Sequence, residues 1–226
     1  MIQSNLLKRF LTSIILLLVM FFSIKVQLVL YFMLLIFSFF SAIEFFDIID
    51  KIKNLKFIKT KKATFFYKGF FLIYLIFLDI LIYKSLNLST PHLVNFVFIL
   101  SICVATDIGG LIFGKIFGGK KLTKLSPNKT YAGSFGGLIL SISVFFAFNF
   151  YYSLTVNYQL LIITIIISII SQLGDLFFSY LKRKAKIKHT GTLLPGHGGI
   201  LDRVDGILFG LPFGIIFLSL LNNLWN

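Results

Sequence analysis

The chain has 226 residues, 58% of them hydrophobic and 13% charged, with 29 Phe and a formal net charge of +14. Soluble globular domains carry roughly a quarter charged residues, so the composition excludes an ordinary soluble fold. The positive charge does not mark a nucleic-acid binder, because it lies in short segments between long apolar runs, as cytoplasmic membrane loops do.

Apolar runs occur at about 10–24, 27–46, 69–84, 92–114, 131–152, 157–180 and 206–224. They are continuous rather than alternating, which predicts bilayer-spanning helices and not a barrel. The expected fold is all-α: a polytopic integral membrane protein of about seven transmembrane helices, forming one transmembrane domain over residues 1–226. Residues 1–100 form the N-terminal spans, 101–210 carry the polar blocks, and 206–226 form the last span. The first run follows Lys8 and Arg9 as a signal peptide would, but no small-x-small cleavage site follows it, so it reads as a retained span. There is no internal repeat and no soluble domain. Cys103 is the single cysteine and lies in an apolar run, which rules out an intrachain disulfide and makes it a packing residue.

Of the 22 Lys and Arg residues, all but Lys25 and Lys84 fall in the N-terminal segment or in the loops after the second, fourth and sixth runs. This bias predicts a cytoplasmic N-terminus, three cytoplasmic basic loops and an outside C-terminus. The loop Asp47–Lys68 is a topology signal and would also attract anionic lipid. Asp79 stands alone in the third run, where a helix-pairing role and a functional one are equally open.

The fourth run leads into a first polar block, Thr106 to Gly137. Gly110, Gly114 and Gly118 recur every four residues, a spacing that permits close helix contact within the bundle or, as the alternative, a dimer seam. Gly118-Gly119-Lys120-Lys121 is a flexible basic turn, and Ser126-Pro127-Asn128-Lys129-Thr130 then opens the fifth run. Hydroxyls and a lysine beside free helix N-terminal amides suit a phosphate, although the Walker A order is absent. The alternative is a capped helix start.

The second block, Ser179 to Asp205, holds six Lys/Arg, a Pro-Gly-His-Gly-Gly turn and two acids at i and i+3. The chain has only eight acids, and Asp107 and Asp175 lie within apolar runs, where an unpaired carboxylate costs several kcal/mol. Asp202 and Asp205 share one helix face if the last span begins there. With Asp175 they have the chemistry of an Mg²⁺ site, which uses one or two carboxylates plus substrate phosphate; the alternative is pairing with neighbouring Lys or Arg. His197 is either a polar turn residue or a phosphate-binding acid/base. The combination points to metal-assisted phosphoryl or nucleotidyl transfer, and the two blocks are expected to line one polar cavity.

The second block resembles the signature of the phosphatidate cytidylyltransferase (CDP-diacylglycerol synthase) family through Ser179, Lys182-Arg183, Lys188, Gly191, Pro195-Gly196-His197-Gly198-Gly199, Asp202-Arg203 and Asp205, with Gly174-Asp175-Leu176 upstream. The first block is similar to that family's other motif through Asp107, Gly114, Gly118, Ser126-Pro127, Lys129-Thr130 and Gly133. It departs from the family at His189, where an Asp is usual, and at Ala132, where a Glu is usual. The chain is also shorter than many members, which implies a missing span near the N-terminus. The resemblance implies a cell-membrane nucleotidyltransferase of phospholipid biosynthesis that converts CTP and phosphatidic acid to CDP-diacylglycerol and pyrophosphate with one or two Mg²⁺ ions. It implies Asp175 and Asp202, then Asp205, as metal ligands, with His197 in the catalytic set. Phosphates would be held by Ser179, Lys182, Arg183, Lys188 and Arg203. Asp107, Ser126, Lys129 and Thr130 would bind nucleotide or lipid phosphate, and Gly196, Gly198 and Gly199 would let backbone approach the triphosphate. Competing readings are another CTP-dependent membrane lipid kinase, such as a polyprenol kinase, an ion-coupled transporter using Asp79, Asp107 and Asp175, and a structural membrane protein.

Overall fold

The computed structural model describes residues 27–55, 58, 60–87, 89–123, 126, 129–152, 157–193 and 198–224. These form six α-helices: α1 (Gln27–Asn54), α2 (Lys61–Asn87), α3 (Ser89–Phe117), α4 (Tyr131–Tyr151), α5 (Tyr158–Lys184) and α6 (Leu201–Leu224). They are the second to seventh predicted spans; the first, at about 10–24, lies outside the described residues. All six are long and apolar enough to cross a bilayer, and the protein is a multi-pass membrane protein.

The helices run beyond their apolar cores. α1 continues through Asp47, Asp50, Lys51 and Lys53, α2 begins at Lys61, and α5 ends at Lys182-Arg183-Lys184. Hydropathy marks where side chains meet lipid, whereas backbone hydrogen bonding continues into the wet interface, where Lys stems reach outward. Lys51 pairs with Asp47 one turn back, and Lys68 reaches Asp50 at 2.7 Å. The side chains also reverse the soluble pattern. Leu35, Phe70, Ile73, Ile139 and Phe150 point outward, while Ser41, Thr106, Ser141, Ser168 and Ser171 are buried. In lipid, apolar faces gain little by meeting one another, and small or hydrogen-bonding residues hold helices together.

The described residues fall into two compact units, one within Met1–Ile80 and Leu181–Val204, the other within Leu81–Tyr180 and Asp205–Asn226. In the first, α1 packs on α2 through Phe45 and Phe71, stacked with ring centroids 3.9 Å apart, and Ala42, Ile48, Ile49 and Ile52 of α1 and Leu75 of α2 are buried. Asp79 has a helix-pairing role here: Ser38 Oγ on α1 lies 2.8 Å from both of its carboxylate oxygens.

In the second unit, α3 and α4 approach backbone to backbone. A Cβ on Gly109 would stand 2.4 Å from the Gly136 carbonyl oxygen, and one on Gly133 would stand 2.7 Å from that of Gly110. Gly114 also faces Gly133, so Gly110 and Gly114 serve packing within the bundle. Gly118 does not continue that stripe. It follows the end of α3 at φ +57°, its N–H donates to the Gly114 carbonyl at 3.2 Å, and no atom crowds its missing Cβ. It is the helix stop, because the left-handed conformation there favours glycine. A second stripe, Gly206, Gly210 and Gly214 on α6, nests against Ser171, Cys103 and Ile99, and Thr106 Oγ1 donates to Ser168 Oγ at 2.9 Å.

Candidate active site

In the first unit, polar chemistry gathers where α5 ends and α6 begins. α5 stops in a Schellman turn: Ile187 N–H donates to the Lys182 carbonyl at 3.0 Å, Lys186 N–H donates to that of Arg183 at 3.1 Å, and Lys186 is left-handed at φ 55°. This turn leaves Lys182 pointing from the last helical turn and sends the chain into the segment that returns at α6. Residues 194–197, including Gly196 and His197, lie outside the described residues, as do Pro127 and Asn128 of the other block.

Asp202, in the first turn of α6, is the centre of this cluster. Its Oδ1 accepts from Lys182 Nζ at 2.7 Å, with the two side chains only 13% and 8% exposed. Its Oδ2 accepts from Thr190 N–H at 2.9 Å and Gly199 N–H at 3.4 Å, and His189 Nδ1 lies 3.6 Å away. Gly198 holds φ +88°, and a Cβ there would meet Asp202 Oδ2 at 2.9 Å, so this position needs glycine on both grounds. Arg183, Lys188 and Arg203 are exposed around this pair in sequence. The exposed basic side chains beside this desolvated, hydrogen-bonded carboxylate form a surface suited to phosphate.

Glu44, given no role from sequence, is the second carboxylate of this unit. It comes from α1, is 7% exposed, and accepts three hydrogen bonds: Thr190 Oγ1 at 2.6 Å, Ile200 N–H at 2.9 Å and Leu201 N–H at 2.9 Å. α6 begins after Ile200, which has no side-chain oxygen to cap it, so Glu44 satisfies two of the amides that a helix start leaves open. Gly191 and Gly199 leave room for it: a Cβ on either would approach Glu44 to 2.7 or 2.3 Å. Its partners lie 146 to 157 residues along the chain, so no local pattern could have identified it.

The second unit holds the other block. Lys129 from the basic loop forms an ion pair with Asp175 on α5, and both also act electrostatically on Asp107 of α3. Asp107 Oδ1 and Ser171 Oγ border Gly206, where a Cβ would meet them at 3.3 and 2.7 Å. Asp205 is 7% exposed and its Oδ1 accepts from Gly206 N–H at 3.0 Å. Thr130 caps α4, its hydroxyl oxygen accepting from Gly133 N–H at 3.1 Å. The preceding loop is a small antiparallel bridge in which Leu122 N–H donates to Lys129 O at 2.7 Å and Tyr131 N–H donates to Lys120 O at 3.1 Å. Ser126 is buried and Ser179 half-buried. Among the described residues, no three of His, Cys, Asp and Glu stand together as a metal-binding group.

Comparison with known proteins agrees with this chemistry. The profile of the cytidylyltransferase family matches residues 7–221. The phosphatidate cytidylyltransferase of Staphylococcus haemolyticus is 49% identical over 115 residues, covering 50% of this chain and 44% of that protein. That of Bacillus subtilis is 37% identical over 162 residues, 70% of this chain and 60% of its own. That of Rickettsia bellii is 39% identical over 155 residues, 63% of this chain and 66% of its own. The chain thus spans about half to two thirds of the length of these relatives.

Proposed function

The chain belongs to the cytidylyltransferase family, and from that premise we propose that it transfers the cytidylyl group of CTP to phosphatidic acid, forming CDP-diacylglycerol and pyrophosphate. A phosphatidate oxygen attacks the α-phosphorus of CTP, a new P–O–P bond forms, and the bond to the β-phosphate breaks as pyrophosphate leaves. Both reactants are anions, so the protein must offset their repulsion and the charge that spreads in the transition state. The observation that carries this reading is the Asp202 carboxylate fixed between Lys182 and the amides of Thr190 and Gly199. It stands in a segment where the side chains of Arg183, Lys188 and Arg203 are exposed, and cations on a surface suit an anionic phosphate. In the other unit, Lys129 supplies a cation beside Asp175, and Thr130, whose oxygen caps α4, keeps its proton to donate to a phosphate.

Asp175 and Asp202 are also the proposed Mg²⁺ ligands, each on its own local geometry, with Asp205 and Asp107 as further carboxylates. Carboxylate oxygens are the donors a hard divalent ion takes, and an ion at either would share or displace the ammonium that the carboxylate now holds, that of Lys129 or Lys182. Bound there, Mg²⁺ would supply charge neutralisation and polarisation of phosphoryl oxygens. The proposed setting is the cell membrane, with the N-terminus and basic loops cytoplasmic. Pyrophosphate release from CTP by the purified chain in lipid tests the reading. Release that requires phosphatidate and Mg²⁺ is expected; its absence from folded protein with both substrates present would overturn it.

A further inference from the structure

We infer that Glu44 is a positioning residue that sets the Lys182–Asp202 pair for turnover; the inference rests on the cytidylyl-transfer reading above. The chain of contacts is short. Glu44 Oε2 takes the hydroxyl of Thr190 at 2.6 Å, and the N–H of the same residue donates to Asp202 Oδ2 at 2.9 Å. Glu44 also takes the amides of Ile200 and Leu201, the two residues before Asp202. Asp202 is therefore held from both sides by backbone that Glu44 fixes, and Asp202 in turn fixes Lys182. The lever is α1, a helix far removed in sequence from the segment it orders. A carboxylate suits the task because it only accepts hydrogen bonds, and both of its oxygens face donors. Gln at this site must turn an NH₂ toward at least one of those donors, leaving either Ile200 N–H or the Thr190–Leu201 pair without its acceptor.

The test uses the full chain in lipid nanodiscs, with CTP and phosphatidate as substrates. Glu44→Gln is expected to insert and fold, to lower kcat at least tenfold, and to change the KM for CTP less than threefold. A role confined to stability would lower the melting temperature and leave the turnover of the folded fraction alone. Thr190→Val is expected to lower kcat in the same way, Thr190→Ser to recover most of that loss, and Glu44→Gln/Thr190→Val to be no slower than Glu44→Gln alone. Wild-type kcat in folded Glu44→Gln overturns the inference. If Glu44→Gln does not fold, wild-type kcat in Thr190→Val overturns it equally. Wild-type protein with no cytidylyl transfer would instead count against the activity on which the inference rests.

Discussion

Gly199→Ala tests the geometry around Glu44 directly. The added methyl would sit 2.1 Å from Thr190 Oγ1, 2.3 Å from Glu44 Oε2 and 2.6 Å from Glu44 Cδ, where ordinary contact begins near 3.4 Å. Either Thr190 or Glu44 must move by roughly an ångström, and the 2.6 Å hydrogen bond between them cannot survive that shift. A hydrogen bond to a charged group contributes about 1.5–3 kcal/mol, and forcing a methyl into a packed site costs about 1–3 kcal/mol. Gly199 is outside the left-handed region occupied by Gly198, so Ala should recover about 0.4–1 kcal/mol through the unfolded state. The losses win, by about 2–5 kcal/mol. Local opening sets the rate of amide exchange, so hydrogen exchange of the peptide spanning Thr190 to Leu201 should accelerate by about 30-fold to a few thousand-fold, at roughly 1.4 kcal/mol per tenfold. Turnover should fall in parallel. Wild-type exchange across that peptide would refute the packing of Gly199 on Glu44.

Asp202→Asn keeps the side-chain shape and an acceptor for Thr190 but removes the charge, so it should insert normally and lose on the order of 10³-fold in kcat; near-normal turnover at saturating substrates would remove Asp202 from the proposed metal site. Asp175→Asn should behave alike, and raised Mn²⁺ should restore part of either activity. Gly136→Ala places a methyl 2.3 Å from Phe113 Cβ and should cost about 1–3 kcal/mol at the α3–α4 contact, whereas Gly69→Ala on α2 meets nothing within 4 Å and should be neutral or slightly stabilising. Thermal melts of the two variants in one detergent should rank them in that order. A reporter fused after Asn226 that works only outside the cytoplasm should be active, as the basic loops predict; cytoplasmic activity would invert the topology.

The helices were legible because long apolar runs have one solution in a bilayer, and α1 to α6 lie where the runs are. Their ends were not, since Lys61 and Lys184 belong to interfacial helix that hydropathy cannot register. The last apolar run begins at about 206, whereas α6 begins at Leu201 and so places Asp202 and Asp205 inside the helix, as their shared face requires. Gly118 carries two readings in sequence, and the turn reading holds while the packing stripe does not, because a four-residue spacing does not distinguish a packing glycine from a helix stop at positive φ. Thr130 showed the opposite economy: the hydroxyl expected at a phosphate also caps its helix. Glu44 was hidden altogether. Beside Asp47 and Asp50 it reads as one more interfacial acid, and only the fold brings Thr190, Ile200 and Leu201 to it.

The central claim is that the α-phosphorus of CTP is the one attacked. Labelling the α-phosphate and the γ-phosphate of CTP in separate reactions with phosphatidate decides this, by following which label enters the lipid. The account predicts that the α-label appears in a lipid product while the γ-label leaves in pyrophosphate. Transfer of the γ-label to lipid, as a CTP-dependent lipid kinase would give, or no lipid labelling from either position, would contradict it.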